Sequence, residues 1–141
     1  MLVQDIAIVK RSGQVVLVVD DDAMILMGTA DGIEFLGHSV IEAGSAALAL
    51  EILRGGRRID ALVTDYEMPG MTGVDLAVEA RRLRPGLPVL LVTGHMDLPE
   101  PARGLNRLGK PFRHAELSRQ LAEMLPPPGG MPPGDHRHDP G

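Results

Sequence analysis

Aspartates, a threonine and a lysine stand where short apolar runs end. Val15–Val19 leads into Asp20-Asp21-Asp22, Ala61–Thr64 into Asp65, Pro88–Val92 into Thr93-Gly94, and Leu105–Leu108 towards Lys110-Pro111. Carboxylates gathered at one place repel one another, so either their pKa values rise or a cation joins them. Hard oxygen ligands select Mg2+, which takes one or two carboxylates, a carbonyl and several waters and keeps positions for phosphate oxygens. A metal beside Asp65 would let that carboxylate attack a phosphoryl group without two anions repelling. Thr93 and Lys110 would hold the remaining phosphoryl oxygens, and the product would be an aspartyl-phosphate. Each residue also has a structural alternative. Asp20–Asp22 can cap a helix, Asp65 can be a loop residue, Thr93-Gly94 is a common turn, and Lys110 can be a solvated lysine. Their joint placement at successive strand ends favours the chemical reading.

The elements that would position them alternate along the chain. Val15–Val19 is a continuous β-branched and aliphatic run, as expected of a strand buried on both faces. Ala23–Leu36 has helical spacing and stops at Gly37. Ser39–Glu42 reads as a strand. Ser45–Leu53 reads as a helix with Ser45 as N-cap, ended by Gly55-Gly56. Ala61–Thr64 is a third strand, and Val74–Leu83 a third helix capped by Thr72 and stopped by Pro85-Gly86. Pro88–Val92 and Leu105–Leu108 complete five strands, and His114–Leu125 is the last helix. This alternation predicts a parallel sheet with helices on both faces, an α/β fold close to (βα)5. In such sheets ligands bind at the carboxyl ends of the strands, where the polar residues above fall. Only sixteen residues separate Thr93 from Lys110, with Pro99 and Pro101 among them. A helix, a strand and two loops want roughly 20, so the fourth helix is expected to be short or degenerate.

Composition narrows the function. The 141 residues carry a net charge of −5, which argues against a general nucleic-acid surface. Aromatics are 2% of the chain, too few for base-stacking platforms. The absence of cysteine removes disulfides, thiolate zinc sites and cysteine catalysis. No apolar run approaches the ~20 residues of a membrane span, and no basic segment precedes an apolar stretch at the start. A cytoplasmic protein with no membrane partner is therefore expected. The expected organisation is an N-terminal extension over 1–14, one domain over 15–125, and a disordered Pro/Gly-rich tail over 126–141.

The blocks VVLVVDDD, LVTDYEMPGMTG, LLVTG and GKPF, in this order and spacing, strongly resemble the response-regulator receiver domain of two-component signalling, a CheY-like family. The resemblance covers about residues 15–125. It implies a flavodoxin-like doubly wound sheet of strand order 2-1-3-4-5. It also implies that Asp65 is the phosphoacceptor and that Asp21 and Asp65 ligate Mg2+ directly, with Asp20 acting through water. Glu67 would give its backbone carbonyl to the metal; its side chain either faces solvent or reaches the metal or the phosphoryl site. Thr93 would be the switch hydroxyl, with Gly94 after it. Lys110 would contact the phosphoryl group, and the Lys110-Pro111 bond would be cis. The implied partners are a histidine kinase or histidine phosphotransfer protein and an unidentified downstream protein, with the chain a monomer or weak dimer.

Two departures from the family pattern stand out. Receivers usually carry Tyr or Phe three residues before the lysine, where this chain has Arg107. The shortened Thr93–Lys110 interval resembles receivers that stand alone or end hybrid kinases, and with about fourteen residues before the receiver and sixteen after it no attached output domain is expected. Arg107 then either pairs with surface acids or a partner, or is simply solvated. Two other functions compete. One is a receiver-fold binding module that works without phosphorylation. The other is a haloacid-dehalogenase-type phosphatase using Asp20 and Asp22 as a D-x-D pair. That second family leaves DYEMPGMTG unexplained.

Overall fold

The computed structural model describes residues 13–94 and 105–125. Its elements are β1 (Val15–Val19), α1 (Ala23–Phe35), β2 (Ser39–Ala43), α2 (Ala46–Arg54), β3 (Ala61–Asp65), α3 (Gly73–Leu83), β4 (Val89–Thr93), β5 (Asn106–Gly109) and α4 (His114–Met124). All four pairings are parallel, and the strand order is β2-β1-β3-β4-β5. This is the flavodoxin-like α/β sheet expected. The first twelve residues, the crossover over 95–104 where a degenerate helix was expected, and the tail from 126 lie outside the described residues.

The alternation of a strand's side chains divides the core into two layers. Val16, Val18, Ala61, Val63, Leu90, Val92 and Leu108 point to one face, where Leu26 and Ile33 of α1 and Leu117 and Leu121 of α4 cover them. Leu17, Val19, Leu62 and Val89 point to the other, under Ala46, Ala49, Leu50 and Leu53 of α2 and Leu76, Ala77 and Ala80 of α3. α1, α2 and α3 each start on a side chain that accepts from the first free amides. Asp22 Oδ1 accepts from Met24 and Ile25 N–H, and Ser45 Oγ accepts from Leu48 N–H. Thr72 and Asp75 exchange bonds in a capping box.

Several bounds differ from the sequence reading. Ser45 caps α2 from outside the helix, which runs to Arg54. Asp65 belongs to β3, held by its pairing with Val92, and α3 begins one residue earlier, at Gly73. The fifth strand is displaced by one residue, to Asn106–Gly109.

At the opposite end of the sheet from the acidic residues, the start of β1 is clamped from two sides. Gln14 N–H donates to Nδ1 of buried His38 at 3.1 Å, while Asp60 Oδ2 accepts from Val15 N–H and pairs with Arg58. The backbones pass closely here, and a Cβ on Gly13 would collide with the Gly37 carbonyl oxygen. Only a neutral imidazole can accept at Nδ1. Burial pulls the His38 pKa below its ordinary 6.5, and the nearby Asp60 charge, which acts the other way, does not restore it. As pH falls below 6.5 the unfolded chain therefore takes up a proton before the folded one does. Stability is full above that pH and declines below it. Denaturant titrations between pH 7 and pH 5 should show this decline in the wild type. In His38→Asn, whose amide oxygen accepts without titrating, the decline should be smaller. Equal slopes in the two proteins would show that His38 is not the group responsible.

Candidate functional site

The carboxyl ends of β1 and β3 lie side by side, because Val19 of β1 is in register with Thr64 of β3. Asp20 follows the first strand and Asp65 ends the second, so parallel pairing brings two carboxylates together that are 45 positions apart in the chain. Both are 6% exposed. Asp21 is exposed at the mouth. One oxygen from each of Asp20, Asp21 and Asp65 lies within 4.8 Å of the others. Asp22 turns away to cap α1 and does not join them. That placement removes the Asp20/Asp22 pair on which a D-x-D phosphatase would depend.

A cation reaches the cluster from the far edge. Lys110 N–H donates to the Thr93 carbonyl at 2.8 Å, which continues the β4–β5 pairing by one step. From there its ammonium pairs with Asp65 Oδ1 at 2.5 Å. The Lys110-Pro111 bond is cis. Thr93 is buried at the end of β4, between the Asp65 and Lys110 strands. Burial pulls the Lys110 pKa down, but the hydrogen bond and charge of Asp65, with the charges of Asp20 and Glu67, outweigh it and leave the ammonium's pKa raised. For Asp20, burial is the main cause of a raised pKa. The Asp22 N–H that it accepts works against this, and the Asp65 charge adds to it.

Three carboxylates thus share one lysine, with a formal excess of negative charge in a half-buried place. That donor set is all hard oxygen, open on the Asp21 side, and fits a divalent cation of the Mg2+ type. Four of the nine residues singled out from the sequence, Asp20, Asp21, Asp65 and Lys110, come together directly. Thr93 is linked through its carbonyl to Lys110. Glu67 is exposed in the loop after β3, near enough for its charge to act on Lys110. Gly94 and Pro111 are exposed where their strands end, and Arg107 is exposed on edge strand β5, in register with Leu91.

Two residues at the site were not singled out from the sequence. The buried Thr64 hydroxyl donates to the Asp65 carbonyl oxygen at 3.0 Å. Gly73, the first residue of α3, passes so near that a Cβ would collide with the same carbonyl oxygen and lie 2.8 Å from Leu91 Cδ1. The available signals were a single hydroxyl in the otherwise apolar ALVT of β3 and a glycine at a helix start.

Comparison with known proteins adds an independent observation. A family model described as the response regulator receiver domain matches residues 16–122. The sensor kinase CckA of Brucella abortus is 36% identical over 117 residues, 78% of this chain and 12% of that kinase. The probable transcriptional regulatory protein TcrX of Mycobacterium tuberculosis is 32% identical over 115 residues, 78% of this chain and 49% of that protein. The chain therefore spans about half, or much less, of the length of these relatives. Among solved structures, a receiver domain protein from Clostridium thermocellum superimposes with a TM-score of 0.72 at 30% identity, over 79% of this chain and 93% of that one. The response regulator TrrA of Thermotoga maritima, solved in complex with Mg2+ and BeF, does so with a TM-score of 0.71 at 25% identity, over 79% and 99%.

Proposed function

The chain belongs to the response regulator receiver domain family, and from that membership we propose that Asp65 accepts a phosphoryl group from a phosphohistidine on a histidine kinase or histidine phosphotransfer protein. The observation that carries this reading is the Asp65 carboxylate held by Lys110 beside the Asp20 and Asp21 carboxylates at the strand ends. An Asp65 oxygen forms a bond to phosphorus as the phosphorus–nitrogen bond breaks, and the imidazole leaves with the electron pair and takes a proton. Lys110 is placed to move from the carboxylate to a phosphoryl oxygen, so the charge it neutralises stays within its reach. Thr93, between the two strand ends, offers its hydroxyl to another oxygen. Mg2+ would be held by Asp21 and Asp65, by Asp20 through water and by the Glu67 carbonyl, and would supply the positive charge that lets two anions meet.

The acyl-phosphate biases a two-state surface read by a separate protein, as covalent switches do. On this reading the domain is a phosphoacceptor and not a turnover enzyme. It spans about residues 15–125 and works in the cytoplasm. Among the described residues no helix is long and apolar enough to cross a membrane.

The test is intact-mass measurement after incubation with phosphoramidate. The protein should gain the mass of one phosphoryl group with Mg2+ and none with EDTA, and hydroxylamine, which cleaves acyl-phosphates, should remove it. A protein that stays unmodified in Mg2+ would favour the phosphorylation-independent binding module instead.

A further inference from the structure

The Asp65 backbone is held as closely as its side chain. Its carbonyl oxygen receives the Thr64 hydroxyl on one side and abuts the bare Cα of Gly73 on another. Gly73 cannot drift away, because its own N–H donates to the Tyr66 carbonyl at 2.8 Å and the Thr72–Asp75 capping box fixes the start of α3. Tyr66 in turn donates its N–H to the Val92 carbonyl and packs with Val74 and Leu91. The peptide that follows Asp65 is thus gripped by β3, β4 and the first turn of α3.

Thr64 is the one part of this grip that strand packing does not require. It is fully buried, in register with Val19 on one side and Leu91 on the other. Valine has the same shape, a higher tendency to form strands, and no hydroxyl to satisfy. A hydroxyl at this position is a cost unless its hydrogen bond matters, and that bond goes to the residue bearing the acceptor carboxylate.

We infer that Thr64 is a positioning residue for phosphoryl transfer, whose hydroxyl fixes the Asp65 peptide so that the carboxylate stays aligned between Lys110 and the Asp20–Asp21 pair. This rests on the reading of Asp65 as the phosphoacceptor. With the hydroxyl gone, the Asp65 carbonyl loses one of its restraints, and small displacements of this peptide about the Tyr66–Val92 bond carry the carboxylate with them. Near-attack geometry is sensitive to displacements of this size.

The experiment compares wild type, Thr64→Val, Thr64→Ser and Thr64→Ala for the rate of phosphoryl uptake from phosphoramidate at saturating Mg2+, with thermal unfolding measured in parallel. Thr64→Val should slow uptake about 2- to 10-fold, the value of one ordinary hydrogen bond. Its melting temperature should be unchanged or raised. Thr64→Ser, which keeps the hydroxyl and leaves a small cavity, should recover most of the rate while losing stability. Thr64→Ala should lose both, and its comparison with Thr64→Ser, which loses stability but keeps the hydroxyl, separates the two effects if the valine variant folds poorly. Uptake in Thr64→Val equal to wild type overturns the inference, as does a rate that follows stability across the series instead of following the hydroxyl. A wild-type protein that takes up no phosphoryl group overturns the phosphoacceptor reading and this inference with it. The two failures are thus told apart by the wild-type lane alone.

Discussion

Asp65→Asn is expected to take up no phosphoryl group, either from an autophosphorylated histidine kinase or from phosphoramidate, at any Mg2+ concentration. The exchange leaves the shape of the side chain intact and removes its nucleophile, since an amide oxygen is a far weaker attacking group than a carboxylate and an acyl-phosphate cannot form on it. The fold should survive. The ammonium of Lys110 loses its closest partner, at 2.5 Å, but keeps the charges of Asp20 and Glu67. The cluster sheds one of three mutually repelling charges, which removes the Asp65 repulsion that adds to burial in raising the Asp20 pKa. Circular dichroism and thermal unfolding should therefore match wild type closely while phosphoryl uptake is abolished. Uptake that persists in this variant, at any appreciable fraction of the wild-type rate, would move the acceptor elsewhere. Asp21, the most accessible member of the cluster, would be the first place to look.

The sequence made the central architecture legible because that architecture is nearly pure burial. VVLVV can only be a strand covered on both faces, and four of its five residues are buried. Ser45 and Thr72 announced two helix starts because a hydroxyl before an apolar periodic segment has one common use. Edge strand β5 was harder. In NRLG only Leu108 is buried, so no alternation exists to read, and its register comes from pairing with β4. The site was legible at the level of residue types at strand ends, and less so at the level of direction. Three consecutive aspartates look alike in a sequence. Backbone geometry sends Asp20 into the cluster, leaves Asp21 at its mouth and spends Asp22 on a helix cap. Thr64, Gly73 and His38 were illegible for the same reason. Their work depends on which carbonyl or amide lies opposite, a long-range fact that no local pattern encodes.

Adding Mg2+ to the metal-free protein should raise its melting temperature, and Asp21→Ala should erase most of that rise. Three carboxylates within 4.8 Å and one lysine leave charge uncompensated in the folded state, whereas in the unfolded chain the Asp65 carboxylate is far from the other two. An ion that binds only the folded cluster stabilises by RT ln(1 + [Mg2+]/Kd), about 2.7 kcal/mol at a concentration a hundred times Kd. For a domain of this size that corresponds to a shift on the order of 10 °C. Asp21 is the informative position. Asp20 Oδ1 also accepts the Asp22 amide and so helps to shape the turn into α1, and Asp65 pairs with Lys110, so replacing either mixes metal loss with structural loss. Asp21 is exposed, and its removal in the absence of metal only lessens repulsion. The variant should therefore melt at or slightly above the wild-type temperature without Mg2+, and well below it with Mg2+. That crossing of the two curves is the signature of a metal site, because a purely structural role for Asp21 would lower stability under both conditions. Ca2+ serves as the control for geometry. A larger ion that demands more oxygen ligands should give the smaller shift at equal concentration, since the donors here are few and one edge is held by a lysine. Parallel Mg2+ responses in wild type and Asp21→Ala would mean that the ion acts on the protein's overall negative charge and not at this cluster.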